Sequence, residues 1–134
     1  DYAERIVNHA RTLADALQDR GLSVVSGGSD THIVLVDLRD SHPDLTGGDA
    51  EAALEATGVV CNGNTVPGET RTPFDPSGIR LGTAALATRG FDTGAVRDLG
   101  DAIVDVLDAP DDEATLAAVN DRVDELCGAY PLYG

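Results

Sequence analysis

The chain has 134 residues, the size of one domain, and carries 9 basic and 24 acidic residues for a formal charge of −15. That charge repels phosphate backbones and anionic lipid, and the apolar runs are too short to cross a bilayer, so nucleic-acid and membrane partners are not expected. All nine basic residues are arginine, and aspartate outnumbers glutamate 18 to 6. An acidic surface without lysine suits a salt-filled cell, so we predict a cytoplasmic protein from a halophile.

The first half of the chain predicts one helix and two strands. Apolar residues recur every three or four positions over residues 4–20, which indicates an amphipathic helix that stops at Gly21. Two β-branched strands follow, over 22–25 and 32–38, and the second has the composition of a central strand. One face of this second strand is predicted to carry Ile33, Leu35 and Asp37.

The second half alternates short strands with helices. A helix is predicted over 46–56 with Thr46 as its N-cap, and a strand over 59–61 precedes a long loop over 62–78. The remaining predicted elements are a strand over 78–81 and helices over 93–107 and 111–126. We therefore expect one α/β domain of the two-layer α+β kind, in which a three- to four-stranded sheet packs helices on one face.

The histidines and cysteines show no spacing typical of a metal site, so none is expected. His9 and His42 are predicted to face solvent, and His32, which begins a buried strand, is predicted to be a structural histidine with satisfied hydrogen bonds. Cys61 and Cys127 are predicted to be reduced, small and partly buried.

Two further patterns have ordinary structural explanations. The glycine pairs at 27–28 and 47–48 lack the spacing of a phosphate-binding loop, so both are predicted to be turns. The acidic pair at 111–112 is expected to face water, because a chain with 24 carboxylates contains such pairs by chance.

Arg80 is the strongest single candidate for a ligand contact. It lies on a short predicted strand between apolar residues and glycines, and a partly buried guanidinium requires a carboxylate partner. That partner is either an acidic side chain of the protein or the carboxylate of a ligand. The loop that begins at Asn62 offers amide groups, which serve either as turn chemistry or as contacts for a heterocycle.

Seven motifs occur in order along nearly the whole chain, at 26–32, 33–39, 46–51, 62–67, 72–74, 77–83 and 88–91. The most specific are the Asn62–Pro67 segment and the Ser77–Thr83 segment that contains Arg80. With these motifs the sequence resembles the C-terminal domain of the serine hydroxymethyltransferases, which are also called glycine hydroxymethyltransferases.

The resemblance implies a pyridoxal phosphate enzyme of fold type I that interconverts serine and glycine. The one-carbon unit passes to tetrahydrofolate or a related pterin carrier, and the enzyme is expected to be a homodimer. Residues 1–134 would form its single small domain, without the large domain that contains the cofactor lysine. Because the chain has no lysine, we expect this domain alone to be inactive and to contain no catalytic residue.

The resemblance also implies roles for four residues. Arg80 matches the arginine that binds the carboxylate of the amino acid, and Asn64 matches the asparagine that contacts the pterin ring. Thr72 and Phe74 lie in the stretch that lines the folate side of the site.

Two departures and two alternatives accompany this resemblance. Ala84 stands where the family commonly has proline, and Gly63 where it commonly has lysine, but neither change affects Arg80 or Asn64. One alternative is a free-standing module that binds an amino acid through Arg80 without chemistry. The other is the small domain of a related aminotransferase-type enzyme, in which the amides at 62–64 would have no purpose.

Overall fold

The computed structural model describes residues 2–25, 33–59, 61–72, 74–82 and 90–129. These residues form four helices and one four-stranded antiparallel sheet in two layers, which confirms the predicted fold class. In chain order the elements are α1 (Tyr2–Asp19), β1 (Ser23–Val24), β2 (Ile33–Asp37), α2 (Gly47–Glu55), β3 (Cys61–Asn64), β4 (Gly78–Gly82), α3 (Thr93–Asp108) and α4 (Glu113–Ala129). None of these helices is long and apolar enough to span a bilayer.

The strand order is β1-β2-β4-β3, so β2 is a central strand as predicted. Side chains alternate between the two faces of each strand, and directly paired residues share a face. One face is buried under the helices and carries Val34, Val36, Cys61, Ile79 and Leu81. The predicted pair Leu35 and Asp37 does share a face, and none of the helices in the described residues packs on that face.

The helices form one layer around an apolar core that also includes the buried face of the sheet. Thr46 caps α2 as predicted, because its hydroxyl accepts a hydrogen bond from the Asp49 N–H at 3.1 Å. Asp92 caps α3 in the same way through the Ala95 N–H at 2.8 Å. Within α3, Gly100 lies so close to α1 that a Cβ atom there would come within 2.8 Å of the Ala16 Cβ.

The third strand lies later in the chain than the sequence predicts. The prediction placed it at 59–61 and assigned Asn62, Gly63 and Asn64 to a loop, whereas β3 runs Cys61–Asn64 and pairs with β4 throughout. Polar residues and glycine have low strand propensity, but hydrogen bonds to a neighbouring strand override that preference. The other predicted elements agree apart from their end residues.

The glycine pair at 47–48 was also predicted wrongly, because it forms the first turn of α2 and not a loop turn. The Gly47 N–H donates to the Pro76 carbonyl at 2.6 Å, and the Gly48 N–H donates to Asp75 Oδ1 at 3.0 Å. These contacts hold the start of α2 against the chain segment that enters β4, where there is no room for a side chain at Gly47.

Two histidines predicted to face solvent are instead in the interior. His9 is 5% exposed because α1 turns it toward the segment before α3, where its Nε2 lies 2.6 Å from the Phe91 carbonyl oxygen. His42 is half-buried and bridges Ser41 Oγ and Asp108 Oδ1, each at 2.8 Å. Neither position was evident from sequence, because Phe91 and Asp108 are distant from these histidines along the chain.

Other predictions concern the thiols, the acidic pair and the segments that the structure leaves undescribed. Cys61 is buried and Cys127 is half-buried, and both are free thiols as predicted. The acidic pair at 111–112 is exposed as predicted. His32, the glycine pair at 27–28 and Ala84 lie outside the described residues.

A long connection, residues 65–77, joins β3 to β4 and is held mainly by Glu69. Its carboxylate accepts hydrogen bonds from the Ser77 hydroxyl and from the N–H groups of Thr70, Arg71 and Ser77. Partial desolvation raises the pKa of Glu69, but these hydrogen bonds outweigh it and lower the pKa to about 2. Near the other end of the connection, Val66 is buried and fills the space that a side chain at Gly78 would need.

The close contact between α1 and α3 predicts opposite effects for two helical glycines. Gly100→Ala should destabilise the fold by about 1–3 kcal/mol, because the added methyl group meets Ala16 and forces the helices apart. Gly128→Ala in α4 is the matched control, since nothing lies within 4 Å of its Cβ position, and it should stabilise by up to about 1 kcal/mol through helix propensity. Chemical denaturation of both variants measures the difference. Equal changes would show that the two helices do not pack as described.

The Glu69 hydrogen bonds predict a specific dependence of stability on pH. A carboxylate whose pKa falls from 4.5 to about 2 on folding stabilises the fold fully above pH 4.5, and this stabilisation is lost as the pH falls toward 2. Glu69→Gln cannot titrate, so the stability difference between wild type and variant should be largest near neutral pH and should shrink below pH 4.5. Thermal melts across this range measure it. A difference that does not vary with pH would contradict the assigned hydrogen bonds.

Candidate functional site

The sequence-predicted Arg80 lies on the sheet face against which none of the described helices packs. We call this the open face and define it by Leu35, Asp37, Asn62, Asn64 and Arg80, whose side chains alternate with the buried ones. The strand register pairs Leu35, Arg80 and Asn62 in one row across three strands. The neighbouring row consists of Asp37, Gly78 and Asn64. Arg80 and Asn64 are therefore neighbours on one surface, as their predicted roles require.

Arg80 is exposed, so the expectation of a partly buried guanidinium was wrong. The strand alternation explains the difference, because Ile79 and Leu81 are the residues of β4 that turn toward the helices. Within the part of the chain that the structure describes, no carboxylate forms an ion pair with Arg80. Of the two partners considered from sequence, an acidic side chain of the protein is thus not found among the described residues.

The acid nearest to Arg80 in the strand register is already occupied. Asp37 lies in the next row and is bound by Arg39, whose Nε and Nη2 donate to Asp37 Oδ1 and Oδ2 at 3.0 Å and 2.6 Å. The hydrogen bonds from the Arg39 side chain lower the pKa of Asp37, and the Arg39 backbone N–H lowers it further. Desolvation acts in the opposite direction and is outweighed. Asp37 therefore stays ionised and paired, and Arg80 keeps its donors for another partner.

Two amide side chains flank Arg80 on the open face. Asn62 is exposed and directly opposite Arg80, while Asn64 is half-buried and its Nδ2 donates to the Thr65 carbonyl at 2.8 Å. That bond leaves the Asn64 Oδ1 as an acceptor for a ligand. Asn62 was not predicted to neighbour Arg80, because residues 62–64 were assigned to a loop. Side chains alternate along a strand, so a strand over 61–64 would have placed both asparagines on one face.

The other two predicted site residues lie on the connection between β3 and β4. Thr72 is exposed and its hydroxyl accepts a hydrogen bond from the Asp75 N–H at 3.3 Å. Phe74 is 98% exposed, so its ring presents an apolar surface to whatever approaches this loop. The structure places neither residue in contact with Arg80, so the site divides into a sheet part and a loop part.

The side chains of the open face have the chemistry to bind and orient a small molecule. A free guanidinium grips a carboxylate at two points, and the amides can donate to or accept from a polar ring. The one thiol of the sheet, Cys61, points to the opposite face, where desolvation and the nearby Glu51 and Glu55 raise its pKa to about 12. It is therefore no nucleophile. In the described residues no three His, Cys, Asp or Glu side chains come together as metal ligands.

Comparison with known proteins gives this geometry a context. The sequence profile of the serine hydroxymethyltransferases matches residues 1–103. The chain is 58% identical over 132 residues to a serine hydroxymethyltransferase of Haloquadratum walsbyi, and 57% identical over 132 residues to that of Natronomonas pharaonis, in each case over 98% of the chain. A bacterial relative from Coxiella burnetii is 43% identical, also over 98% of the chain.

These relatives are much longer than the chain, which spans only 31–32% of their length. The similar proteins from Haloquadratum and Natronomonas belong to halophilic archaea, which agrees with the source predicted from composition. The profile covers well over half of the chain, and the identities extend across nearly all of it. The chain therefore belongs to the serine hydroxymethyltransferase family.

Proposed function

We propose that this chain is the C-terminal small domain of an enzyme that interconverts serine and glycine, and that Arg80 binds the carboxylate of the amino acid. The observation that carries the proposal is the exposed Arg80, which has no carboxylate partner in the described residues although the chain contains 24 acidic residues. In so acidic a protein an unpaired arginine at the centre of a sheet face is best explained by a ligand that supplies the missing carboxylate.

Arg80 would orient the substrate without exchanging a proton with it. A planar guanidinium holds both oxygens of a carboxylate and so fixes the direction of the bonds at the adjacent Cα. The rigid β4 backbone, paired on both sides by β2 and β3, keeps that grip in one position. This domain would therefore contribute substrate position and selectivity to the enzyme, and the chemistry would take place on the part outside this chain.

The pyridoxal phosphate that the family uses does not fit an attachment site on this chain. Attachment requires an amine side chain, and the sequence contains no lysine. We therefore place the cofactor on the rest of the enzyme. When bound there, it supplies the electron sink that allows a bond at the amino acid Cα to break.

The asparagines of the open face support a pterin-type carrier as the second substrate. A pterin ring has donors and acceptors along one edge, and the free Oδ1 of Asn64 together with the exposed Asn62 offers complementary groups beside the carboxylate site. These amides also favour this function over an aminotransferase, whose reaction has no pterin to bind. Tetrahydrofolate or a related pterin as carrier, a homodimeric enzyme and a cytoplasmic location remain predictions from the family.

The proposal predicts a separation between stability and activity at Arg80. In the full-length enzyme Arg80→Lys keeps the charge but loses the two-point grip, so kcat/KM for serine should fall at least about tenfold to a hundredfold. The thermal unfolding midpoint should not change, because Arg80 has no internal ion pair to lose in the described structure.

The matched control is Arg97→Lys, an exposed arginine of α3 that pairs with Asp19 in the helical layer. It should leave both kcat/KM and stability close to wild type, since exposed ion pairs contribute little. If Arg80→Lys lowered the unfolding midpoint and left the serine kinetics unchanged, Arg80 would be a structural residue and the proposal would be wrong.

A further inference from the structure

Arg39, two residues after the end of β2, makes an unusually complete set of contacts. Its Nη1 donates to the Gly68 carbonyl at 2.6 Å, and its Nη2 donates to the Pro67 carbonyl at 2.9 Å. On the other side, Nε and Nη2 bind both oxygens of Asp37. The guanidinium thus connects an open-face carboxylate with the backbone of the connection between β3 and β4.

Pro67 and Gly68, the segment that Arg39 holds, make few other contacts that would fix their backbone. Pro67 has no N–H to donate, and Gly68 has a positive φ of 71°, so neither continues the hydrogen-bonding pattern of β3. Both residues are exposed, and their carbonyls point to a single side chain. Val66 and Glu69 fix the residues immediately before and after.

The position of this segment matters because of the residues beside it. Asn64 lies at the end of β3, just before the connection. Thr72 and the almost fully exposed Phe74 lie within the connection. Asp37 shares a row with Asn64 on the open face, so the Asp37–Arg39 pair joins that row directly to Pro67 and Gly68.

We propose that Arg39 is a positioning residue for the one-carbon carrier: braced by Asp37, it holds in a binding-ready position the Pro67–Gly68 backbone, which links Asn64 to the part of the loop with Thr72 and Phe74. This inference rests on the proposed function, since it assumes that the carrier binds at Asn64 and this loop. Arg39 touches no ligand in this account and acts through the loop backbone alone. Its loss should raise the ordering cost of carrier binding and should affect the carboxylate site less, through the freed Asp37 alone.

The test uses the full-length enzyme and tetrahydrofolate as the probe. In Arg39→Gln the dissociation constant of tetrahydrofolate should rise at least about tenfold, because a neutral amide cannot bridge Asp37 and two carbonyls. Arg39→Lys should give a smaller rise, because an ammonium retains the charge and reaches some of the same acceptors without the planar fork. The dissociation constant of serine, measured without the carrier, should rise less than that of tetrahydrofolate, because its only expected loss comes from Asp37, which is freed to compete for Arg80 in the neighbouring row.

Hydrogen exchange gives a readout that does not depend on activity. Backbone amides at 68–72 should exchange faster in Arg39→Gln than in wild type, while those of α1 and α3 should keep their protection. Arg97→Gln is the control, since it removes an arginine of the helical layer, and it should change neither binding constant nor the exchange of the loop.

Three results would overturn the inference. A lower unfolding midpoint with unchanged tetrahydrofolate affinity would make Arg39 merely structural, and an equal loss of serine and tetrahydrofolate affinity would show general damage to the site. Asn64→Ala shows whether only the role of Arg39 is wrong or the proposed carrier site as well. If it weakens tetrahydrofolate binding while Arg39→Gln does not, only the role of Arg39 is wrong, and if neither variant weakens binding, the proposed carrier site fails as well.

Discussion

The alternation of side chains along β4 is the constraint on which the site depends. Ile79 and Leu81 are buried against the helices, so Arg80 between them must point the other way. Shifting the strand by one residue would bury the guanidinium and expose two apolar side chains, at a cost of several kcal/mol. The same packing that stabilises the core therefore fixes the direction in which the Arg80 guanidinium points.

Charged side chains form ion pairs both in the helical layer and on the open face. Along α3, Asp101 and Asp105 pair with Arg20, the residue after α1, and Arg122 of α4 lies near Asp98 and Asp105. These exposed pairs contribute little individually and less in concentrated salt, but they keep five charged groups at the helical surface. On the open face, the Asp37–Arg39 pair similarly removes the acid that would compete with a ligand for Arg80.

The sequence was informative where local pattern and packing agree. The amphipathic helices, the Thr46 cap and the central position of β2 follow from periodicity and capping chemistry, and Arg80 could be located on its strand. The polar strand β3 could not be predicted, because the hydrogen bonds that make Asn62 and Asn64 part of a strand come from β4, whose residues Arg80 and Gly78 pair with them from further along the chain. The exposure of Arg80 and the interior place of His9 depend equally on distant partners, which sequence periodicity does not reveal.

The central claim is that Arg80 recognises the carboxylate of the amino acid, and a thermodynamic cycle tests it most directly. The full-length enzyme and its Arg80→Lys variant are each titrated with serine and with serinamide, in which a neutral amide replaces the carboxylate. The account predicts that wild type prefers serine and that the variant loses at least about tenfold of this preference, a coupling of about 1.4 kcal/mol. An equal preference for serine in both proteins would contradict it, because the carboxylate would then be recognised by another group.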